Sequence, residues 1–310
     1  MKPFRFGVSI WHVASRTELA DKARKIEALG YDVLNFPDHL NERIAPIPAM
    51  ITAAEATTRL RVGTHVLNND LRHPVLVARE AAAVDLLTDG RLQLGLGAGS
   101  IKSEYDEIGL AFEPGKVRVE RLAEAVPIIR KLLAGEEVTF AGRHYRITRH
   151  TIAPLPIQKP QPPILIGGIG RQLLALAARE ADIVGFAGIT FRDGAPPADV
   201  SAWRAVEVDK RVAWVREASG DRYDRLELGA LVQRVVVTED RKAAADEMAP
   251  RWPPLTPDDI LQTPYLLVGT IDQLVEDLQA RRQRWGISHY VVHEPYLDDF
   301  APVVARLAGK

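Results

Sequence analysis

The chain has 310 residues, of which 46% are hydrophobic and 26% are charged, and its formal net charge is -1. This is an ordinary composition for a globular protein, and the length allows two average domains or one large barrel. The even charge balance gives no basis for non-specific nucleic-acid binding. Because there is no cysteine, disulfides, thiolate metal sites and a cysteine nucleophile are excluded.

The amino terminus carries no recognisable targeting signal. Its first six residues, Met1 to Phe6, lack the apolar core and the cleavage site of a signal peptide. No apolar run approaches the ~20 residues of a membrane span. We therefore expect a cytoplasmic protein that associates with neither membranes nor nucleic acids.

Short apolar strands alternate with amphipathic helices along the chain. The predicted strands are, in order, Phe4–Ile10, Asp32–Phe36, Arg61–Leu67, Arg91–Leu96, Ile164–Ile166, Ile183–Phe186, Leu228–Val237 and His289–His293. The predicted helices between them are Thr17–Leu29, Ile47–Thr57, Pro74–Leu87, Arg171–Arg179, Val200–Ala218, Arg241–Met248 and Ile271–Trp285. Eight such alternations are typical of an α/β protein with a (β/α)8 TIM barrel. A doubly wound open sheet is the competing architecture, but it usually has fewer units and an obvious switch point.

Two stretches are too long or too irregular for plain connections. The first contains, in order, a helix (Val117–Leu133), a hairpin turning at Ala141-Gly142 and a proline-rich connector (Pro154–Pro163). The second, Arg251–Pro264, carries four prolines. We expect one domain over residues 1–310, with insertions after strand four (about 100–160) and before strand eight (about 250–268). Such insertions leave from barrel ends, where lids and substrate walls are commonly built.

Polar side chains gather at the predicted carboxyl ends of the strands, where barrel enzymes place their sites. Those after strands one, two, three and eight are Trp11, His12, Asp38, His39, His65, His293 and Glu294. These strands are neighbours in a closed barrel, so we expect one pocket, with the residues of strands one and eight on the substrate side. Singly, each histidine is equally consistent with a rim residue bonded to a backbone carbonyl. A metal hydrolase is a further interpretation, but strand one offers no His-x-His pair and strands four to six offer glycine, so we expect no metal.

Two glycine-rich segments end predicted strands four and five. Gly95-Leu96-Gly97-Ala98-Gly99-Ser100 lacks the spacing of a dinucleotide fingerprint, and no regular helix is predicted directly after it. Gly167-Gly168-Ile169-Gly170-Arg171 leads straight into a helix, where free backbone amides and an arginine can bind phosphate. The alternative is a tight strand-to-helix turn. Two such loops on adjacent strands favour an extended ligand with a phosphate and a planar body.

A set of short motifs runs in a specific order through nearly the whole chain. The segments are Glu55–Thr64, His73-Pro74, Ala78–Glu80, Val84–Arg91, Gly95–Gly99, Gly135–Phe140, Gly142–Tyr145, Pro154–Pro163, Gly167-Gly168 and Val268–Leu274. In this order they resemble the bacterial luciferase-like family of flavin- and deazaflavin-dependent oxidoreductases. The resemblance implies a TIM barrel that binds its cofactor at the carboxyl ends of the strands.

Within that family, Asp38-His39 is similar to the Asp-His pair of members that use the deazaflavin coenzyme F420, where the histidine lies near the reactive face of the ring. Gly63-Thr64-His65-Val66 resembles their strand-three bulge, which carries a non-proline cis peptide under the ring. The resemblance implies cofactor contacts at His65, Val66, Ala98, Gly99, Ser100, Gly167, Gly168, Gly170 and Arg171. The sugar-dehydrogenase branch has an acid after the strand-four glycines. Ser100 stands in its place here, which weakens the case for that substrate and that proton transfer.

These observations predict a homodimeric oxidoreductase that transfers a hydride between F420 and a small organic substrate. Because histidine titrates near neutral pH, we expect His39 to move the proton, with Asp38 either orienting its imidazole or capping the following loop. Two alternatives stay open. One is an FMN-dependent luciferase-like monooxygenase that uses reduced flavin and oxygen, and the other is a barrel that binds the cofactor without turnover.

Overall fold

Eight parallel strands close into a barrel in the computed structural model, which describes residues 1–40, 44–188 and 199–310. The strands are β1 (Arg5–Ser9), β2 (Val33–Phe36), β3 (Arg61–Thr64), β4 (Leu67–Asn68), β5 (Leu92–Gly97), β6 (Val138–Ala141), β7 (Arg146–His150), β8 (Ile164–Gly168), β9 (Ile183–Phe186), β10 (Glu227–Leu231), β11 (Arg234–Val237), β12 (Leu266–Gly269) and β13 (Ile287–His293). The barrel runs β3-β2-β1-β13-β10-β9-β8-β5, and the pairing of β3 with β5 closes the ring. The predicted TIM barrel is confirmed.

The helices pack around the barrel, and α1, α3, α8, α9 and α10 begin with a side-chain cap. They are α1 (Arg16–Ala28), α2 (Pro46–Glu55), α3 (Pro74–Leu87), α4 (Lys102–Glu107), α5 (Gly115–Leu133), α6 (Arg171–Glu180), α7 (Ala205–Ser219), α8 (Arg241–Met248), α9 (Pro257–Gln262), α10 (Ile271–Trp285) and α11 (Leu297–Leu307). Thr270 begins α10 with a capping box to Gln273, and Gly286 ends it in the left-handed conformation. Within the described residues, no helix has both the length and the apolar character needed to cross a membrane.

The apolar core lies between the barrel wall and the helices, whereas the interior of the barrel is partly polar. On the outside of β1, Phe6 packs edge to face against Phe300 of α11, with ring centroids 5.5 Å apart. On the inside, Arg5 donates to Glu227 at 2.7 Å and to Gln93 at 3.1 Å. Because these three residues stand at the first or second position of their strands, this polar layer lies at the amino-terminal end of the barrel.

The segment between β5 and β8 contains the helix and the hairpin predicted from the sequence. The helix, α5, begins slightly earlier than predicted, at Gly115, and β6 and β7 pair antiparallel around the predicted turn. Glu124 of α5 accepts the backbone amides of Arg143 and His144 at 2.8 and 2.9 Å. These bonds fasten the hairpin to the helix.

The predicted seventh strand, Leu228–Val237, is wrong as a single strand because it divides between two sheets. Its first part, β10, belongs to the barrel, whereas β11 pairs in parallel with β12, which is not among the predicted strands. The chain changes partner at two consecutive amides. Val232 donates to Val291 of β13 at 2.8 Å, and Gln233 donates to Tyr265 beside β12 at 2.8 Å. Both halves are rich in apolar residues, so the sequence does not reveal the change.

Several helix predictions also need correction. The helix predicted from Val200 begins at Ala205, because a 3-10 turn at Ser201–Trp203 precedes it. The irregular stretch Arg251–Pro264 contains α9, which begins with a capping box at Thr256. Neither α4 nor α11 is predicted, because α4 has only 6 residues and α11 contains a proline. Short or proline-containing helices give little periodic signal.

Gly95 in β5 is a position where the barrel requires glycine. A β-carbon there would overlap the carbonyl oxygen of Thr64, whose hydroxyl donates to the Gly95 carbonyl and accepts from its amide at 2.8 and 2.9 Å. Because backbone cannot move aside, Gly95→Ala should lower the free energy of unfolding by about 2 kcal/mol or more. Denaturation by urea measures this difference.

Gly115→Ala is the matched control for that substitution. A β-carbon at Gly115 would meet only the Arg118 side chain among the described atoms, at 3.7 Å. The control should be neutral or stabilising by up to about 1 kcal/mol. Equal stabilities for the two variants would contradict the steric argument.

Candidate active site

A cavity of about 660 Å³ opens at the carboxyl ends of the barrel strands. The predicted site residues that line it are Trp11, Asp38, His39, His65, Val66, Ala98, Gly99, Ser100, Gly167, Gly168, Gly170, Arg171 and His293. One cavity therefore brings together all the predicted site residues except His12 and Glu294. Its volume lies in the range of ligand pockets.

The third strand enters the cavity through a bulge between β3 and β4. The peptide bond between His65 and Val66 is cis, as the family resemblance implies. Two glycines make room for the Val66 side chain. A β-carbon at Gly97 would lie 2.5 Å from its Cγ2, and one at Gly167 would lie 3.3 Å from its Cγ1. Val66 therefore forms a wall between the two glycine-rich segments.

Asp38 braces this bulge and does not orient His39. Its carboxylate forms a two-point ion pair with Arg72, in which Nη1 bonds Oδ2 and Nη2 lies 3.0 Å from Oδ1. Oδ2 also accepts the backbone amide of Asn68 in β4 at 3.0 Å. Among the described residues, Asp38 therefore binds an amide next to the bulge and not one in the loop that follows His39. Neither role expected for Asp38, orienting the imidazole or capping that loop, is observed.

The imidazole of His39 has a different carboxylate partner. Its Nδ1 lies 2.9 Å from Oε1 of Glu104, and the same oxygen accepts the backbone amide of Leu40 at 3.3 Å. Glu104 lies in α4, is only 3% exposed and lines the cavity. Sequence reasoning missed Glu104, because its only signal is an acid four positions after Ser100 in a segment without clear periodicity.

Arg118 of α5 is a second cavity residue that the sequence did not identify. Its guanidinium donates to the backbone carbonyls of Ala98, at 3.0 Å, and of Gly99. It also lies over the ring of Phe112, 4.1 Å from the centroid. Gly99 has φ of +75°, and a β-carbon there would overlap the hydroxyl of Tyr105. The arginine and the glycine together fix the shape of the loop after β5.

The loop from Gly167 to Arg171 has the features of an anion-binding turn. Gly170 is the N-cap of α6, and no described side chain caps it. A β-carbon at Gly170 would meet no described atom within 4 Å, whereas one at Gly168 would overlap Leu173. The side chain of Arg171 is 66% exposed at the rim. Uncapped helix amides next to an accessible arginine can bind a phosphate.

The residues expected on the substrate side separate into an inner and an outer pair. Trp11 and His293 line the cavity, and their rings meet edge to face with centroids 4.7 Å apart. His12 and Glu294 lie outside the lining, where Lys22 bonds the His12 carbonyl at 3.2 Å and the Glu294 carboxylate at 2.7 Å. The structure therefore does not bring the outer pair into the pocket.

The two acids of the described lining are both paired, Asp38 with Arg72 and Glu104 with His39. Across the described ranges, no group of three or more histidine, cysteine, aspartate or glutamate side chains is arranged to bind a metal ion. The arrangement offers instead an imidazole for proton transfer and an anion-binding loop in one cavity.

A family model and several known proteins match this chain. The model of the family described as luciferase-like monooxygenase matches residues 3–252, and the chain therefore belongs to that family. Among curated relatives, F420-dependent glucose-6-phosphate dehydrogenase of Nakamurella multipartita is 35% identical over 189 residues, 58% of this chain and 55% of the relative. The 4-hydroxyprotoasukamycin monooxygenase of Streptomyces nodosus subsp. asukaensis is 36% identical over 135 residues, 42% of this chain and 34% of the relative. The chain thus spans about half, or less, of the length of these relatives.

Solved structures share the fold over the full chain. The coenzyme F420-dependent tetrahydromethanopterin reductase of Methanopyrus kandleri superposes with a TM-score of 0.77 at 18% identity, covering 99% of this chain and 98% of the other. An F420-dependent secondary alcohol dehydrogenase in complex with an F420-acetone adduct gives a TM-score of 0.76 at 20% identity, with 99% of each chain covered. At these identities the likeness establishes the barrel fold alone.

His65 makes the stability of the protein sensitive to acid. His65 is half-buried at the cavity wall, and desolvation of its ring lowers its pKa to about 4, from an ordinary value near 6.5. Between these two pH values the unfolded chain binds a proton that the folded chain does not, so stability falls as the pH drops through this window. At pH 4.5 the loss due to His65 should reach about 2.5 kcal/mol relative to pH 7.

Urea denaturation of the parent and of His65→Gln, each without cofactor and at both pH values, checks this loss. The variant should lose less stability on acidification by about that amount. His12→Gln changes an exposed histidine and should behave like the parent. Equal losses in the parent and in His65→Gln would show that burial does not hold this ring neutral.

Proposed function

We propose that this protein transfers a hydride between coenzyme F420 and a small alcohol or carbonyl compound. The observation that carries the proposal is that His39 and the Gly167–Arg171 loop line the same cavity. One supplies a proton-transfer group and the other an anion site. In barrel order, β2 and β8 are separated by β3 and β5, so the cavity between them is wide enough for an extended ligand.

The residues present fit such a cofactor. The loop before α6 would hold its phosphate, with Gly170 leaving open space and Arg171 adding a charge. Val66, Ala98 and Gly99 would lie against its planar body. Bound F420 would supply a two-electron acceptor or donor that exchanges a hydride at a ring carbon.

The chain's own groups would manage the proton. His39 lines the cavity and is held by a buried carboxylate, as a general acid–base group requires. Trp11 and His293 would form the wall against which a small substrate packs. Several relatives are named F420-dependent glucose-6-phosphate dehydrogenases, which supports the deazaflavin.

A neutral substrate fits the described lining better than a sugar phosphate. Of the two arginines among the described lining residues, Arg118 already bonds to backbone carbonyls and Arg171 is assigned to the cofactor's phosphate, so neither is left for a substrate phosphate. Ser100 also stands where the sugar-dehydrogenase branch has an acid. We therefore propose an uncharged alcohol or its carbonyl product.

An FMN-dependent monooxygenase is the second candidate. It is favoured by relatives named as monooxygenases, one of them described as the flavin-dependent oxygenase component acting on trigonelline. This interpretation predicts oxygen consumption with reduced FMN and a substrate, which F420-dependent hydride transfer does not require.

The homodimer and the cytoplasmic location stay predictions from the sequence. Light scattering measures the oligomeric state.

Single-turnover kinetics under anaerobic conditions test the function. The parent, mixed with F420 and a panel of small alcohols, should bleach the visible absorbance of the oxidised cofactor with at least one of them. His39→Ala should bind F420 but react on the order of 10²-fold more slowly, because the proton acceptor is gone. His150→Ala, in the hairpin strand β7, should react like the parent.

Other outcomes of this experiment would support a different function or exclude His39 from the reaction. Binding without turnover in the parent would support a cofactor-binding barrel. Oxygen uptake with reduced FMN, and no reaction with F420, would support the monooxygenase. An unchanged rate in His39→Ala would remove that residue from the reaction.

A matched pair of substitutions tests the anion loop. Arg171→Ala should weaken F420 binding about 10-fold or more, because a charge-assisted bond to phosphate is lost. Glu217→Ala removes the carboxylate that lies 3.4 Å from the Arg171 guanidinium, so it should bind F420 at least as tightly as the parent. Calorimetric titration measures both. Parental affinity in the arginine variant would mean that the loop is only a turn.

A further inference from the structure

We propose that Glu104 is the positioning residue of the proton-transfer site: it holds His39 with its proton on Nδ1 and leaves Nε2 for the substrate. This inference rests on the proposed role of His39. It assigns the orientation of His39 to an acid from a distant segment, and not to Asp38, which precedes the histidine in the sequence.

The contacts around one carboxylate oxygen carry the inference. Oε1 of Glu104 receives the backbone amide of Leu40 at 3.3 Å and lies 2.9 Å from Nδ1 of His39. An ionised carboxylate has no proton to donate, so this oxygen accepts both from the amide and from the imidazole. An acceptor at 2.9 Å requires the shared proton to be on Nδ1, and in a neutral imidazole the other nitrogen is then an acceptor.

The neighbouring acid cannot take over this role. Both oxygens of Asp38 are engaged by Arg72, and one of them also holds the amide of Asn68. Asp38 and Glu104 therefore divide two tasks: the first braces the strand-three bulge and the second contacts the imidazole.

Glu104 is held firmly enough to fix a tautomer. It lies in α4, and the next residue, Tyr105, donates its hydroxyl towards Asn68 at 3.1 Å and Asp70 at 3.0 Å. These bonds anchor α4 to the segment that follows the bulge. A buried carboxylate fixed in this way orients an imidazole and stabilises its charged form.

The chemistry follows from the orientation. As an alcohol is oxidised, its O–H and C–H bonds break and a C=O bond forms. The hydroxyl proton would pass to Nε2 of His39, and bound F420 would be the oxidant that takes up the hydride. In the reverse direction, Nε2–H returns the proton to the carbonyl oxygen. The ionisable side chains that share the described lining with His39 and Glu104 are Asp38, His65, Arg118, Arg171 and His293.

Nitrogen NMR of histidine-labelled protein tests the tautomer directly and needs no cofactor. In the pH range where the ring is neutral, the parent should show His39 with Nδ1 protonated and Nε2 unprotonated. The signal is assigned by its loss in His39→Gln. Glu104→Gln can donate as well as accept, so the fraction protonated at Nε2 should rise about five-fold or more. Glu107→Gln, an exposed change on the same helix, should keep the parental spectrum.

Kinetics with F420 and an alcohol give the second readout. Glu104→Gln should lower kcat on the order of 10²-fold. The KM for the alcohol should change much less, because the carboxylate acts through the imidazole. Glu107→Gln should leave both unchanged.

Two results would overturn the proposal. One is a parent in which neutral His39 carries its proton on Nε2, a result that stands even if Glu104→Gln fails to fold. The other is a folded Glu104→Gln with the parental tautomer and the parental kcat. Absence of any F420 reaction in the parent would instead refute the proposed function, and the NMR experiment would still decide the role of Glu104.

Discussion

The close approach of the third barrel strand to the fourth, at Thr64 and Gly95, is the contact on which the site depends. The Thr64 hydroxyl bonds the amide and the carbonyl of Gly95, and no side chain other than hydrogen fits between them. Immediately after this contact the chain leaves the barrel wall, turns through the cis peptide and rejoins β5 at Leu67. Val66 is thereby directed between the two glycine segments, so one close backbone contact creates the wall of the cavity. Gly97 and Gly167 leave room for the Val66 side chain.

Two chains of contacts extend from this bulge to the functional groups. Asn68, just after it, gives its amide to Asp38 and receives the hydroxyl of Tyr105. Tyr105 belongs to α4, which also carries Glu104, and Glu104 reaches back to His39. The bulge, the loop after β2 and the helix after β5 are thus one connected unit. We expect a change in any of these three segments to alter the orientation of the imidazole, although each segment follows a different barrel strand.

The sequence predicts the parts of this unit that have a local signature. The βα alternation gives the barrel, and the glycine runs mark the ends of β5 and β8, because local periodicity and glycine content follow directly from burial and turn geometry. The Asp38-His39 pair also identifies the right loop. The sequence does not reveal the ion pair of Asp38 with Arg72 or the contact of Glu104 with His39. Both join segments that are distant in the sequence and are brought together only when the barrel strands pair. The same limit explains the divided seventh strand, whose second half has an apolar pattern that fits either sheet.

The division of tasks between two carboxylates has a consequence for how such a barrel can change its chemistry. Asp38 is tied to the bulge, so its replacement would disturb the wall against which the planar cofactor would lie. Glu104 stands on a six-residue helix in the segment between β5 and β8, outside the strands. Its carboxylate therefore comes from an element separate from the barrel strands, although Tyr105 joins that element to the segment after the bulge. In this arrangement the cofactor would be selected by the barrel and its glycines, whereas the proton transfer would be set by a helix that the bulge holds in place. Ser100 and Glu104 fit that view, because the acid of this cavity stands on α4, four residues after Ser100, and not directly after the glycines of β5.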